Sequence, residues 1–181
     1  MEKELNENQQ KFLLNLAREA IKHYLETGEK VRVKVEDEVL REKRGAFVTL
    51  KVEDELRGCI GYPLPYKSLY QTIIDTAISA ATSDFRFTPL SLSELEKTKI
   101  EVSVLSLPQP ISDFKQIEIG KHGIIISKGS FQGLLLPQVP VECNWDLETY
   151  LSHGCLKAGL SPDEWKEGVD IKIFTAQVFS E

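Results

Sequence analysis

The residues whose types and spacing most suggest chemistry form the run Leu56-Arg57-Gly58-Cys59-Ile60-Gly61, hereafter the LRGCIG motif. Glycine weakens the interior of a strand, so Gly58 and Gly61 predict a bulge or a close approach of another group to the backbone. Arg57 lies roughly 6.7 Å from Cys59 along an extended strand. Nearby cations lower the pKa of a thiol and raise the thiolate fraction, which makes Cys59 a candidate nucleophile. The alternative is a small buried cysteine beside a tight turn.

A second candidate is the run Asp84-Phe85-Arg86-Phe87, which follows a predicted helix. An arginine between two aromatic rings could be held planar to bind an anionic ligand. Asp84 and Arg86 could equally form a local ion pair over a core phenylalanine. The residues alone leave both interpretations open.

Two further places carry polar residues that could bind a substrate or a partner. Lys121 and His122 put a cation and a titratable imidazole beside a flexible glycine, although a tight turn explains the same residues. Gln138 could bind an amide, a base edge or a partner backbone, and the simpler interpretation is a satisfied buried polar residue at a strand end.

Composition and missing motifs exclude several classes of protein. The 181-residue chain has a net charge of −6, which counts against nucleic-acid binding over its whole surface but leaves a local basic groove open. Apolar runs fall short of the ~18 residues of a membrane span, and the first ten residues are too polar for a signal peptide. Three cysteines, at 59, 143 and 155, fit neither a disulfide framework nor a zinc cluster. We therefore expect a cytoplasmic protein without a membrane segment, metal site or cofactor, since the common nucleotide and hydrolase motifs are also missing.

The LRGCIG motif belongs to a predicted β-hairpin, Gly45–Val52 with Leu56–Tyr62, joined by a loop of three residues. A three-residue loop puts the apolar residues of both strands on the same face of the hairpin. A two-residue loop would not bring them to one face. The predicted apolar pairs are Val52 with Leu56, Leu50 with Gly58, and Val48 with Ile60. The predicted pairs on the other face are Lys51 with Arg57, Thr49 with Cys59, and Phe47 with Gly61. Lys51 and Arg57 would then both favour the Cys59 thiolate.

The rest of the chain mixes helical and strand patterns. Apolar residues at three- and four-residue spacing predict a first helix, capped by Asn6 and Gln9 and ended by Gly28. The other predicted helices are Ser68–Ser83, a short turn around Ser93–Lys97, one from Asn144 or Asp146 through Lys157, and a short one after Ser161. The other predicted strands are Val31–Val35, Ile100–Leu105, one starting near Ile117, a hairpin of Gly123–Ser127 with Gly133–Leu136, and Val169–Phe179. This mixture predicts an α+β fold with mostly antiparallel sheets and flanking helices.

The ordered motifs together resemble the AMMECR domain family, named after a human Alport-syndrome chromosomal-region gene. The resemblance rests on residues 45–50, the LRGCIG motif, and residues 84–87, 101–105, 120–123, 134–139 and 157–160. It spans the chain from about residue 12 to the C-terminus. One position departs from the family pattern: Phe85 stands where proline is expected.

The resemblance implies a single AMMECR domain over residues 1–181, built from a larger and a smaller lobe whose boundary the sequence does not reveal. It also implies an association with Memo-like proteins and radical SAM enzymes. An accessory or binding component of a modification pathway is the first hypothesis, and an RNA-binding module and a cysteine-dependent enzyme are the alternatives. The enzyme would use Cys59 with Arg57. The expected substrate- or partner-binding residues are Lys51, Gly58, Gly61, Asp84, Arg86, Lys121, His122 and Gln138.

Overall fold

Helices of 4 to 21 residues and two separate sheets make up the protein in the computed structural model, which describes residues 4–181. The helices are α1 (Glu7–Thr27), α2 (Glu38–Arg41), α3 (Leu69–Thr82), α4 (Leu92–Leu95), α5 (Val139–Glu142) and α6 (Leu147–Lys157). The strands are β1 (Ala46–Val52), β2 (Glu55–Tyr62), β3 (Thr98–Leu105), β4 (Gln109–Ile111), β5 (Gly123–Lys128), β6 (Phe131–Leu135), β7 (Asp170–Phe174) and β8 (Ala176–Ser180). Single 3₁₀ turns lie at Phe114–Gln116 and Glu164–Lys166. The predicted α+β class is confirmed.

The chain divides into two compact units. The first runs to Leu105 and resumes with Gln177–Glu181, and the second is the continuous segment Ser106–Ala176. Each unit contains one four-stranded sheet, with strand order β2-β1-β3-β8 in the first and β4-β7-β5-β6 in the second. The predicted final strand over Val169–Phe179 is therefore wrong, because that segment contributes β7 to one sheet and β8 to the other.

Helices α1 and α3 cover the apolar side of the first sheet. Helix α1 begins with the predicted capping box between Asn6 and Gln9 and ends at Gly28, whose φ of 75° lies in the left-handed region. Helix α3 packs against α1 and against β1 and β2. The fully buried strand residues Val48 and Leu50 contribute to this core. Strand β2 is thereby fixed at one edge of the sheet with α3 behind it.

The hairpin that carries the LRGCIG motif has the predicted register beyond its loop but a different turn. Thr49 pairs with Cys59 as predicted. The turn has only two residues, Glu53 and Asp54, both with positive φ (53° and 65°), and β2 starts at Glu55. A bulge restores the register: Arg57 is the extra residue, since Leu50 pairs with Gly58 while Lys51 pairs with Leu56. The predicted pairs of Lys51 with Arg57 and of Val52 with Leu56 are therefore wrong.

The predicted strand at Val31–Val35 is also absent from the described structure. Residues 30–37 have no regular secondary structure. Val31, Val33 and Val35 are nonetheless half-buried against the core of the first unit, and Arg32 and Lys34 are exposed. The alternation of apolar and charged residues therefore indicates an extended chain with one side packed on an apolar surface, not a hydrogen-bonded strand.

The second unit has its own core between its sheet and α6. Ile124 and Ile126 of β5 are fully buried and pack with Tyr150, Leu151 and Cys155 of α6. Asp146 caps α6 by accepting from the Thr149 N–H. The predicted hairpin appears as β5 and β6, whereas the strand predicted near Ile117 is replaced by a 3₁₀ turn and a loop. Within residues 4–181, no helix has the length and apolar character needed to cross a membrane.

Candidate functional site

Cys59 is held by its neighbours through both its thiol and its backbone. Its side chain is half-buried, and the Thr49 hydroxyl on β1 donates a hydrogen bond to Sγ at 3.3 Å. Because β2 is the outer strand of its sheet, part of its backbone faces away from β1. The Cys59 N–H finds its acceptor in Asp84 Oδ2, at 2.9 Å. The Asp84 side chain, from a loop distant in sequence, therefore accepts the hydrogen bond that a neighbouring strand would otherwise accept at Cys59.

Asp84 and Arg86 form a bidentate ion pair next to the Cys59 backbone. Arg86 Nε donates to Asp84 Oδ1 at 2.9 Å, and Nη2 donates to Oδ2 at 2.7 Å. Nη2 also donates to the Cys59 carbonyl at 3.4 Å. The Arg86 guanidinium, helped by the Cys59 N–H, holds the pKa of the buried Asp84 carboxyl well below its usual range. The local ion pair of the second sequence interpretation is present, but it does not lie over a core phenylalanine, because Phe85 is exposed and Phe87 is half-buried.

The two cations predicted to activate Cys59 are each neutralised by a carboxylate. Arg57 binds Glu94 at 3.2 Å, and Lys51 binds Glu101 at 2.9 Å. The guanidinium carbons of Arg57 and Arg86 lie 5.9 and 5.5 Å from the centre of the Phe87 ring. Each of the two cations expected to favour the Cys59 thiolate therefore already has a carboxylate partner.

Gly58 and Gly61 face atoms of the chain itself. A Cβ at Gly58 would lie 2.2 Å from the Ala80 carbonyl oxygen of α3, so glycine is needed for this close approach of helix and strand. A Cβ at Gly61 would lie 2.2 Å from the ring of Phe47, which covers that position. The predicted close approach to the backbone is made by α3 at Gly58 and by the Phe47 ring at Gly61.

Phe85 projects from the same anchored loop into solvent. Its relative exposure is 96%, although the next residue towards the N-terminus, Asp84, is buried. The loop is a tight turn closed by a hydrogen bond from the Phe87 N–H to the Asp84 carbonyl at 3.0 Å. Asp84–Phe87, hereafter the Asp84–Phe87 loop, thus presents an exposed aromatic ring beside the exposed Arg86 on a fixed backbone. Asp84 and Arg86 were predicted from the sequence as site residues, whereas Phe85 was not. The one sequence feature that could have indicated Phe85 is its departure from the family pattern.

The remaining predicted site residues, Lys121, His122 and Gln138, belong to the second unit. Lys121 pairs with Glu118 at 2.8 Å. The buried His122 accepts a hydrogen bond from the Glu118 N–H through Nδ1 at 3.1 Å. Both residues therefore support a turn, as the simpler interpretation had it. Gln138 is exposed beside α5 rather than buried at a strand end.

Residues 4–181 contain no group of three or more His, Cys, Asp or Glu side chains that could hold a metal ion. The cysteines at 59, 143 and 155 are free thiols. Cys143 is exposed, whereas burial raises the pKa of the Cys155 thiol. Cys59 is intermediate between them in exposure.

Comparisons with known proteins cover nearly the whole chain. The AMMECR1 family model matches residues 14–179. Protein MK0488 of Methanopyrus kandleri is 54% identical over 180 residues, which cover 94% of this chain and 87% of the relative. Protein MJ0810 of Methanocaldococcus jannaschii is 48% identical over 94% of this chain and 89% of its own length. The crystal structure of an uncharacterised protein from Pyrococcus horikoshii, PH0010, superimposes with a TM-score of 0.84 at 44% identity, covering 94% of this chain and 90% of that one.

Proposed function

This chain belongs to the AMMECR1 family, and we propose that it is an accessory module that binds a partner protein through the Asp84–Phe87 loop. The observation that carries the proposal is the exposed Phe85 ring on a loop that is tied to β2 by the hydrogen bond from the Cys59 N–H to the buried Asp84 carboxylate. Aromatic and arginine side chains dominate the binding energy of protein interfaces, and a fixed backbone reduces the entropy lost on binding.

The partners in this proposal are a Memo-like protein and a radical SAM protein, acting in the cytoplasm on a shared modification pathway. These names come from the association that the sequence resemblance implies. The surface supports a protein in preference to RNA, because the loop offers one aromatic ring and an arginine already paired with Asp84. Nucleic-acid binding draws most of its affinity from unpaired cations facing phosphates.

The test measures binding of the purified chain to the Memo-like and radical SAM proteins of its own genome by isothermal titration calorimetry. Phe85→Ala removes an exposed ring without disturbing packing, and we expect it to weaken binding at least tenfold, about 1.4 kcal/mol. The matched control is Phe131→Ala, which removes another exposed ring, 53% accessible, from the second unit. This control should bind as the unaltered chain does.

Equal affinities for Phe85→Ala and the unaltered chain would overturn the proposed surface, and no binding to either protein would overturn the proposed partners. A parallel titration with an RNA oligonucleotide tests the alternative that the chain is an RNA-binding module. RNA affinity that falls steeply with salt would establish the RNA-binding module instead. Gly58→Val is unsuitable as a binding probe, because its side chain would collide with the Ala80 carbonyl and disturb folding.

A cysteine-dependent enzyme is the second candidate, favoured by the hydrogen bond from the Thr49 hydroxyl to the Cys59 sulfur. That hydrogen bond fixes the position of the sulfur, which would be the nucleophile in its thiolate form. Alkylation between pH 5 and 9, resolved by peptide mass spectrometry, compares Cys59 with the exposed Cys143 and the buried Cys155. The binding role predicts that Cys143 reacts fastest and Cys155 slowest. A Cys59 that outpaces Cys143 below pH 7 would favour the enzyme, and loss of pathway activity in a folded Cys59→Ala variant would support it further.

A further inference from the structure

A cavity of about 420 Å³ opens in the first unit, and its lining includes no residue of the LRGCIG motif. The irregular segment 30–33 forms one wall, and the start of α3 forms the other. The lining residues are Lys30, Val31, Arg32, Val33, Lys67, Tyr70, Gln71, Ile74 and Asp75. Small-molecule sites have volumes of roughly 300–1,000 Å³, so this cavity, hereafter the Lys30/Lys67 cavity, has the size for a small organic ligand.

Two lysines in the cavity are oriented by one carboxylate. Lys30 Nζ lies 2.6 Å from Asp75 Oδ1, and Lys67 Nζ binds Oδ2 of the same side chain. Although burial opposes ionisation, the hydrogen bonds from Lys30 and Lys67 hold the pKa of Asp75 below its ordinary value. The Asp75 side chain is 9% exposed, whereas the lysine side chains are 59% and 48% exposed. The carboxylate therefore lies behind the two ammonium groups.

The lysines retain donors for a ligand after binding Asp75. An ammonium has three N–H donors, and the contact with Asp75 uses one in each lysine. Lys67 is further fixed by the Tyr62 ring, whose centre lies 5.8 Å from Nζ. Two pre-positioned ammonium groups with donors to spare are suited to an oxyanion.

Charge across the cavity also favours an anion. Lys30, Lys67 and Arg32 outnumber the single carboxylate of Asp75, which leaves an excess of two positive charges in a chain whose net charge is −6. The backbone N–H groups of Tyr70 and Gln71, in the first turn of α3, have no acceptor among residues 4–181. The positive end of a 14-residue helix therefore adds to the field at this wall.

The apolar lining determines what the anion must be attached to. Val31, Val33 and Ile74 line the same cavity as the two lysines, and Tyr70 adds an aromatic ring. A bare inorganic ion would leave this surface in contact with water, whereas an organic group would cover it. A phosphate monoester carries about −1.5 to −2 charges at pH 7 and matches the local excess better than a monocarboxylate does.

We infer that the Lys30/Lys67 cavity binds a small organic phosphate, with its phosphate group on Lys30 and Lys67 and its apolar part against Val31, Val33 and Ile74. The site is separate from the Asp84–Phe87 loop, so it does not depend on the proposed partner binding.

The probe is phenyl phosphate, titrated into ¹⁵N-labelled full-length protein and followed by amide chemical shifts. We expect saturable shifts confined to residues 30–33 and 67–75. Lys30→Met and Lys67→Met should each weaken binding at least tenfold. Lys22→Met, which removes an exposed lysine from α1 outside the cavity, is the matched control and should bind as the unaltered chain does.

Three companion probes test the ligand class. Inorganic phosphate and phenylacetate should each bind at least fivefold more weakly than phenyl phosphate, and benzyl alcohol should give no saturable shifts. The same spectra show whether each variant is folded. Equal affinity of the Lys67→Met and Lys22→Met variants, or shifts spread over other residues, would overturn the site. Equal affinity for phenylacetate and phenyl phosphate would overturn the phosphate assignment.

Discussion

Asp84 carries a negative charge at a position that is only 2% exposed, and its partners explain why that charge is tolerated. It accepts hydrogen bonds from the Arg86 guanidinium and from the backbone N–H groups of Cys59 and Arg86. Buried charges are stable only when they are paired and hydrogen-bonded in this way. One carboxylate therefore determines both the position of the Asp84–Phe87 loop and the backbone at Cys59.

Replacing this carboxylate gives a prediction at the residue scale. Asp84→Asn should lower the free energy of unfolding by about 2 kcal/mol at pH 7, because it removes charge-assisted hydrogen bonds and leaves a buried donor unsatisfied. The folded pKa of Asp84 lies below its ordinary value of 3.8. Its contribution is therefore fully present above about pH 5 and is lost as pH falls below about 4 toward the folded pKa. Urea unfolding from pH 7 to pH 3 measures the effect.

The difference between the unaltered chain and Asp84→Asn should narrow as the pH falls. Asp163→Asn is the control, because Asp163 forms an ion pair with Lys166 in which both side chains are more than half exposed. Exposed pairs contribute about 0–1 kcal/mol, so this control should change stability little at any pH. A difference between the unaltered chain and Asp84→Asn that stays constant down to pH 3 would show that Asp84 does not stabilise the fold through its charge.

At the scale of elements, the turn between β1 and β2 is a point of local strain. Glu53 and Asp54 both adopt positive φ, a conformation that asparagine and glycine tolerate better than other residues. The double variant Glu53→Asn/Asp54→Gly should raise the free energy of unfolding by about 1–2 kcal/mol. The contact it removes, Asp54 with Lys99, is an exposed pair and offsets little of the gain. The midpoint of urea unfolding measures the change.

The reverse substitution tests the same explanation. Glu53→Val places a β-branched side chain at positive φ and should destabilise the hairpin, whereas Glu55→Val, at the first residue of β2, should have little effect. If the Glu53→Asn/Asp54→Gly variant were less stable than the unaltered chain, the explanation by backbone strain at these two residues would be wrong.

The same hairpin shows how much of the fold can be predicted from the sequence. Apolar alternation fixed the pairing from Val48 to Leu50, because one face is buried and a slip of one residue would expose it. A three-residue loop and a two-residue turn with a bulge give the same pairing there, so the pattern could not distinguish them. At Val31–Val35 the alternation reported burial correctly, but a strand also needs a partner, and partners depend on contacts distant in sequence.

The candidate site was less predictable than the fold, for a similar reason. The LRGCIG motif and the Asp84-Arg86 pair could each be found from local spacing. The hydrogen bond that joins them, from the Cys59 N–H to Asp84, spans 25 residues and depends on where α3 ends. The carboxylate partners of Arg57 and Lys51, Glu94 and Glu101, are also distant in sequence, so spacing alone did not reveal that both cations are paired. Electrostatic arguments from a motif need the whole set of neighbouring charges.

At the scale of the whole molecule, the second unit is an insertion between β3 and β8 of the first. Its two connections to the first unit are adjacent: the Ser106 N–H donates to the Thr175 carbonyl, and the Thr175 N–H donates to Ser106 Oγ, both at 2.9 Å. Inserted domains whose ends lie close together often fold independently of their hosts. The segment has its own sheet and its own buried core.

We expect residues 106–176 to fold as an isolated fragment, with modest stability because a segment of this size buries only about 60% of its chain surface. Dispersed amide resonances and protection of the β5 amides from hydrogen exchange would show that the fragment is folded. The first unit should likewise fold when a short glycine-rich linker joins Leu105 to Gln177. Random-coil spectra for the fragment would show that the second unit requires its host, in keeping with the single domain that the sequence predicts.

The position of the inserted unit has a consequence for the order of events during synthesis. Most multidomain chains fold from the N-terminus as they leave the ribosome. Here the sheet that contains Cys59 lacks its outer strand β8 until all of residues 106–176 have been translated. The nascent chain therefore presents β3 as an open edge while the second unit forms, and an open edge invites pairing with other strands. Slow translation of residues 106–176 would lengthen the time for which β3 is exposed. Synonymous codons within this segment should therefore affect the yield of correctly folded first-unit sheet, although the segment itself forms the second unit.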